Sequence, residues 1–289
     1  MTEPPFVDTH VHFWNLKHPT LRWGWLEPDF VHPLLGDIDG LKRTRYAADE
    51  YLAETRFDGA DKVIHVQAAL GSPDPVEETA WLEEMADRTG APHAIVAEAW
   101  LAKPDVEQQL ERHARYPRLR GIRDFGEGEY LADPAWERGY ALLERFDLVC
   151  CLDSEADRFS LARALAERHP GVTMCLDHCG VPLERSREYF EHWRTELHAL
   201  AQAPNVVVKV SGLAMRDPAW TVESIRPWVL ECIEAFGPER TVFATNWPVD
   251  SLFSSYGDVV RAYRTILSEF SSAEQAAMLA DNAERIFRL

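Results

Sequence analysis

Three histidines carry the chemistry that this sequence offers most openly. His10 and His12 stand one residue apart in Phe6-Val7-Asp8-Thr9-His10-Val11-His12-Phe13, and His178 sits in Leu176-Asp177-His178-Cys179-Gly180. In an extended strand residues i and i+2 share a face, so Asp8, His10 and His12 are expected to project together, with Val11 and Phe13 opposite. Three neutral imidazoles brought to one point are a known complement for a catalytic Zn²⁺ with one open position. The competing reading is three hydrogen-bonded core histidines. Without an ion, Asp153, Asp177 or His178 must take the proton from an attacking water, and histidine is the natural choice near neutral pH.

The elements that must position these groups alternate along the chain. Short β-rich runs fall at 6–13, 61–69, 93–101, 118–125, 147–154, 171–180, 205–213 and 240–248, with charged, helix-spaced segments such as 75–90, 155–170 and 221–237 between them. Eight strand-helix units predict a (β/α)8 TIM barrel, an α/β fold formed by residues 1–289 as one domain. An open doubly wound sheet is the rival, but the first strand is followed by no glycine-rich nucleotide turn. In a barrel the polar residues at strand C-termini face the active mouth: His10 and His12, His65 and Gln67, Glu98, Arg123 and Asp124, Asp153, Asp177 and His178, Lys209 and Ser211, Thr245 and Asn246. Lys209 is expected to be a buried, paired lysine, with Asp8 as a candidate partner.

Residues 14 to about 46 lack sustained periodicity and carry Trp14, Trp23 and Trp25. This long loop follows the first strand and should overhang the active face, either as a lid or as an excursion pinned to the rim by its tryptophans. The composition excludes several function classes. A net charge of −18 repels nucleic acid and anionic membranes, so an anionic substrate needs a local arginine. Five cysteines form no secreted-type disulfide framework, and Cys150, Cys151, Cys175 and Cys179 read as small core residues; a reducing cytoplasm fits best. No signal peptide and no apolar run long enough to span a membrane is present, and the expected partner is a small molecule.

Taken together, the opening Val-Asp-Thr-His-Val-His-Phe-Trp, the run Gly121-Ile122-Arg123, the sixth-strand Leu-Asp-His-Cys-Gly, Lys209-Val-Ser-Gly-Leu213, Asn246-Trp-Pro248 and the closing Asp281-Asn-Ala-Glu-Arg-Ile-Phe287 resemble the amidohydrolase superfamily. Within it the chain resembles the amidohydrolase-related branch that includes sugar and muconate-type lactonases, and the likeness spans essentially the whole chain. It implies a (β/α)8 barrel and hydrolysis of a lactone or related ester. His10 and His12 match a pair that ligates a divalent cation in metal-dependent members and contacts substrate in metal-free ones. His178 matches the sixth-strand histidine, and Arg123 an arginine that receives a carboxylate or polarises a carbonyl. The fourth strand has Arg123 where a carboxylated lysine would bridge two metals, so one divalent ion, zinc, or none is expected. At the eighth strand Asn246 stands where many relatives have an aspartate, and the usual water-activating carboxylate is missing.

These features predict a hydrolase opening a small lactone of a sugar acid or another carboxylate-bearing metabolite. His178, Arg123 and Asn246 are its catalytic candidates, Asn246 donating its amide N–H to substrate. Gln67, Asp153 and Trp25 are the substrate-binding candidates, and His10, His12 and His178 the metal ligands. The alternatives are decarboxylation or hydration of an aromatic or unsaturated acid on the same barrel, and a barrel that only binds a ligand.

Overall fold

The computed structural model describes residues 4–126 and 128–289. Eight parallel strands pair in chain order: β1 (Val7–Val11), β2 (Lys62–Val66), β3 (Ala94–Glu98), β4 (Leu119–Arg123), β5 (Val149–Leu152), β6 (Met174–Leu176), β7 (Val206–Val210) and β8 (Thr241–Phe243). Each lies inside one of the runs read from the sequence. Strands such as Val206-Val-Val-Lys-Val210 are apolar on both faces because one face fills the barrel and the other meets a helix. The helices in between are α1 (Ala48–Thr55), α2 (Val76–Thr89), α3 (Val106–His113), α4 (Pro134–Arg145), α5 (Phe159–Arg168), α6 (Arg187–Leu200), α7 (Val222–Phe236) and α8 (Tyr256–Leu267). Side-chain oxygens of Asp133, Ser186, Thr221 and Ser255 cap α4, α6, α7 and α8. Each such cap is worth about 1 kcal/mol. This is the (β/α)8 barrel that the alternation predicts.

The seam between β8 and β1 is closed partly by side chains. The His12 N–H donates to Trp247 O at 2.8 Å, and the Thr9 hydroxyl to Phe243 O at 2.9 Å. Asp8 takes the place of a ladder acceptor: its carboxylate receives the Thr245 N–H at 2.9 Å and the Thr245 hydroxyl at 2.6 Å. Between Asp8 and Val11 the pairing of β1 with β2 shifts register, three steps on β1 matching two on β2. That bulge alters the expected alternation. Asp8 meets Tyr51 of α1 and Tyr256 of α8 in the outer layer, whereas His10 and His12 stay with the barrel interior. Asp8 therefore does not project with the two histidines, and burial pushes its carboxyl up to about 6.

The lower interior is an apolar cluster of Val7, Ile64, Val96, Val149, Val207 and their neighbours, plugged by Ala283, Ile286 and Phe287 from the C-terminal helix α9 (Asn282–Phe287). The loop at 14–46 is pinned by its aromatics. Trp14–Asn15 pairs antiparallel with Arg45–Tyr46, the Trp14 indole N–H donates to Arg43 O at 2.9 Å, and Trp23 packs edge-on against Trp81. Among the described residues no helix is long and apolar enough to cross a membrane.

Candidate active site

At the C-terminal ends of the strands a cavity of about 180 Å³ opens to solvent. His12, Gln67, Arg123, Asp153, His178 and Asn246 line it, with Trp25, His32, Leu34 and Leu35 of the long loop forming one wall. Trp25 is fixed there by its indole N–H to Ala68 O at 2.8 Å and by edge contact with Trp14.

His10 and His12 face one another, Nε2 to Nε2, at 3.2 Å. Nδ1 of His12 lies 2.9 Å from Val66 O, which can only accept, so Nδ1 carries the proton and Nε2 keeps its lone pair. Two nitrogens bound to one tetrahedral Zn²⁺ at about 2.0–2.1 Å each would stand about 3.3 Å apart, so the pair fits a shared ion. Among the described residues two sets of ligand atoms lie within 4.8 Å of one another: His10, Asp177 and His178, a possible His/Asp metal site, and Cys151, Cys175 and Asp177; His12 belongs to neither and meets the first only through its contact with His10. Asp177 is already neutralised. Its Oδ1 is 2.7 Å from the Lys209 ammonium and its Oδ2 3.6 Å from Arg123 Nη1, contacts of charge rather than aligned hydrogen bonds. Lys209 thus pairs with Asp177 and not with Asp8, because β6 and β7 are neighbours and the β1 bulge turns Asp8 outward. Burial works against the Lys209 charge, but Asp177 together with Cys151 and Cys175 outweighs it and the pKa is raised.

Arg123 is clamped to Gln67. Its Nε donates to Gln67 Oε1 at 2.9 Å and one Nη to Gln67 O at 3.1 Å, while the other Nη lies 3.4 Å from His10 Nε2. A guanidinium only donates, so the amide of Gln67 must turn its oxygen to Arg123. Its Nε2 is left without a partner among the described residues, on a side chain that lines the cavity.

All three histidines are held neutral. Burial is the largest cause in each case; the charge of Arg123 adds to it at His12, and Arg123 and Lys209 add to it at His178. Nδ1 of His178 meets the Ser211 hydroxyl at 2.8 Å. Asp153 is pushed up to about 6, first by burial, with Arg123 pulling the other way. The backbone here is unusual: His178, Cys179, Gly180 and Val181 have φ of 55°, 55°, 69° and 43°, and Asn246 has φ of 57°. Left-handed non-glycine residues cost about 1–3 kcal/mol each and cluster where a site must be shaped. Gly212 is required beside them, since a Cβ there would lie 2.7 Å from His178 Nδ1.

The family model described as Amidohydrolase matches residues 7–289. The chain belongs to the amidohydrolase family. An uncharacterized protein of Sinorhizobium fredii (strain NBRC 101917 / NGR234) is 36% identical over 301 residues, covering 100% of both chains. An L-fucono-1,5-lactonase of Burkholderia multivorans (strain ATCC 17616 / 249) is 28% identical, over 98% of this chain and 96% of that one. The crystal structure of an amidohydrolase from Burkholderia multivorans with bound zinc superposes with a TM-score of 0.83 at 27% identity, covering 99% of each chain.

In this amidohydrolase barrel His12, His178, Arg123, Asn246, Gln67, Asp153 and Trp25 all line one cavity, and His10 lies directly beneath it, fully buried. Other strand-end residues go elsewhere. His65 binds Glu78 and the Phe13 N–H; Glu98 borders a second cavity with Trp100; Asp124 accepts from the Leu101 N–H and the Trp136 indole; and Thr245 serves Asp8. Asp177 is buried below the histidines, out of reach of a cavity water. Sequence reasoning missed His32, Leu34 and Leu35, whose loop has no periodicity to place them, and Gly212, whose only signal was its position after Ser211.

Proposed function

We propose that this amidohydrolase opens the ring of a sugar-acid lactone by adding water across its ester bond. The observation that carries the reading is the pairing, in one cavity, of fixed donors for an oxyanion with a neutral histidine. The Arg123 guanidinium and the partnerless Nε2–H of Gln67 would receive the charge that grows on the carbonyl oxygen as water attacks. Neutral His178, backed by Ser211, would take the water proton and return it to the ring oxygen as the carbon–oxygen bond breaks, leaving a hydroxy acid. Asp153 and Asn246 offer acceptors for substrate hydroxyls, and Trp25 an apolar face. The resemblance to the L-fucono-1,5-lactonase supports a sugar lactone as the substrate class. Five buried free cysteines support a cytoplasmic home. Proton release from a panel of five- and six-membered aldonolactones tests the reading: catalysed opening of at least one is expected, and none opened would overturn it.

As the alternative to this metal-free arrangement, a single divalent ion, zinc by donor type, would be held by the facing nitrogens of His10 and His12, with His178, whose ring centre lies 4.5 Å from that of His10, drawn in to complete the set; the ion would supply Lewis acidity toward the ester carbonyl, and His178 as a ligand would then not serve as the base. Arg123 and Lys209 already flank Asp177, the carboxylate of this cluster, which would weaken it as a bridge to a second ion. Metal analysis of the purified protein is expected to give no more than one ion per chain, lost in His10→Ala; a stoichiometry near two would refute this arrangement.

A further inference from the structure

Asn246 and Asp250 are both 2% exposed, and only Asn246 borders the main cavity. Asp250 lies behind it, against Leu213, Ile225, Val259 and Tyr263. Asn246 Nδ2 donates to Asp250 Oδ1 at 2.9 Å, and the Asp250 N–H closes the turn onto Asn246 O at 3.3 Å. No other side-chain hydrogen bond reaches either group among the described residues. Burial pushes the Asp250 carboxyl up to about 7, with the Asn246 hydrogen bond pulling the other way; in its ionised form it can only accept, and it then dictates which end of the amide faces it. We infer that Asp250 is a positioning residue for Asn246, holding the amide N–H away from the cavity so that the amide oxygen is the group presented to substrate or water.

Asn246 is then an acceptor at the cavity wall, opposite to the donor that its sequence context suggests. One of its two N–H bonds is spent on Asp250, which turns Nδ2 to the Asp250 side and leaves Oδ1 as the other polar atom of the same planar amide. The pairing also changes what Asn246→Asp would do. That variant sets two carboxylates against each other in a buried site, where only one can ionise. Exchanging the partners, Asn246→Asp with Asp250→Asn, restores one donor and one acceptor in the same place and again leaves an oxygen toward the cavity.

This inference rests on the lactone reading for its kinetic arm only. For a lactone that the wild type opens, Asp250→Leu, which leaves the Asn246 N–H unpaired, and Asn246→Asp, in which two buried carboxyls must share one proton, are each expected to lower kcat/KM by about 10- to 100-fold. The exchanged pair is expected to regain most of that loss, with thermal midpoints recorded for every variant. An Asp250→Leu variant within twofold of wild type, or an exchanged pair no better than Asn246→Asp alone, would overturn the assignment. NMR of the Asn246 side-chain amide needs no substrate: a protected N–H in the wild type that is lost in Asp250→Leu is expected, and an unprotected N–H in the wild type would overturn the inference even if no lactone were opened.

Discussion

Arg123→Ala is expected to lower kcat/KM for lactone opening by about 2–5 kcal/mol, roughly 30- to 5000-fold. The guanidinium is 4% exposed, so its charge acts on a cavity partly shielded from water, where a fixed donor is worth far more than in solvent. Its removal also frees Gln67 Oε1, so the amide that offers Nε2–H to the cavity loses the contact that orients it. The loss should fall mainly on kcat if Arg123 meets the growing oxyanion, and mainly on KM if it pairs with a substrate carboxylate. Arg123→Lys should recover little, because an ammonium cannot hold both Gln67 oxygens in a planar fork. Steady-state kinetics of both variants, with thermal midpoints as controls, would decide it. An alanine variant with unchanged kcat/KM would move Arg123 from catalysis to architecture.

Lys209→Met is expected to destabilise the fold by about 3–5 kcal/mol, the range for removing one partner of a buried ion pair. Lys209 and Asp177 are both 0% exposed and 2.7 Å apart, so the methionine would leave the carboxylate with Arg123 and the neutral His10 ring, 3.6 and 3.7 Å from its other oxygen. The stem of Lys209 lies over the plug, its Nζ 5.8 Å from the centre of the Phe287 ring, and methionine keeps most of that packing. The cost should therefore be chiefly electrostatic. Adding Asp177→Asn removes the stranded charge and should return most of the stability without restoring activity. Urea unfolding would measure this as a shift in midpoint with little change in slope, and a loss below about 1 kcal/mol would refute the pairing as a determinant of stability.

What the sequence determined by itself were the features written locally. Parallel strands covered on both faces are short runs rich in apolar and β-branched residues, so Val206–Val210 and its seven counterparts were legible despite the polar residues within them, as were the helices between them and hence the barrel. Barrel geometry then sends strand-end residues to one mouth, which is why His12, Gln67, Arg123, Asp153, His178 and Asn246 could be gathered in advance from eight separated segments. Everything that depends on one residue's relation to a distant one was left to the tertiary structure. The bulge in β1 exists only in its pairing with β2, and it sends Asp8 outward to Tyr51 and Tyr256. Lys209 finds Asp177 because β6 and β7 lie side by side, while His65 is taken by Glu78 from the next helix. The 14–46 loop supplies a cavity wall through contacts that no periodicity encodes. Asn246 keeps its place as read, and which end of its amide meets the cavity was not written in the sequence. An amide carries both functions with equal ease, and only the carboxylate of Asp250, packed behind it by the fold, chooses between them.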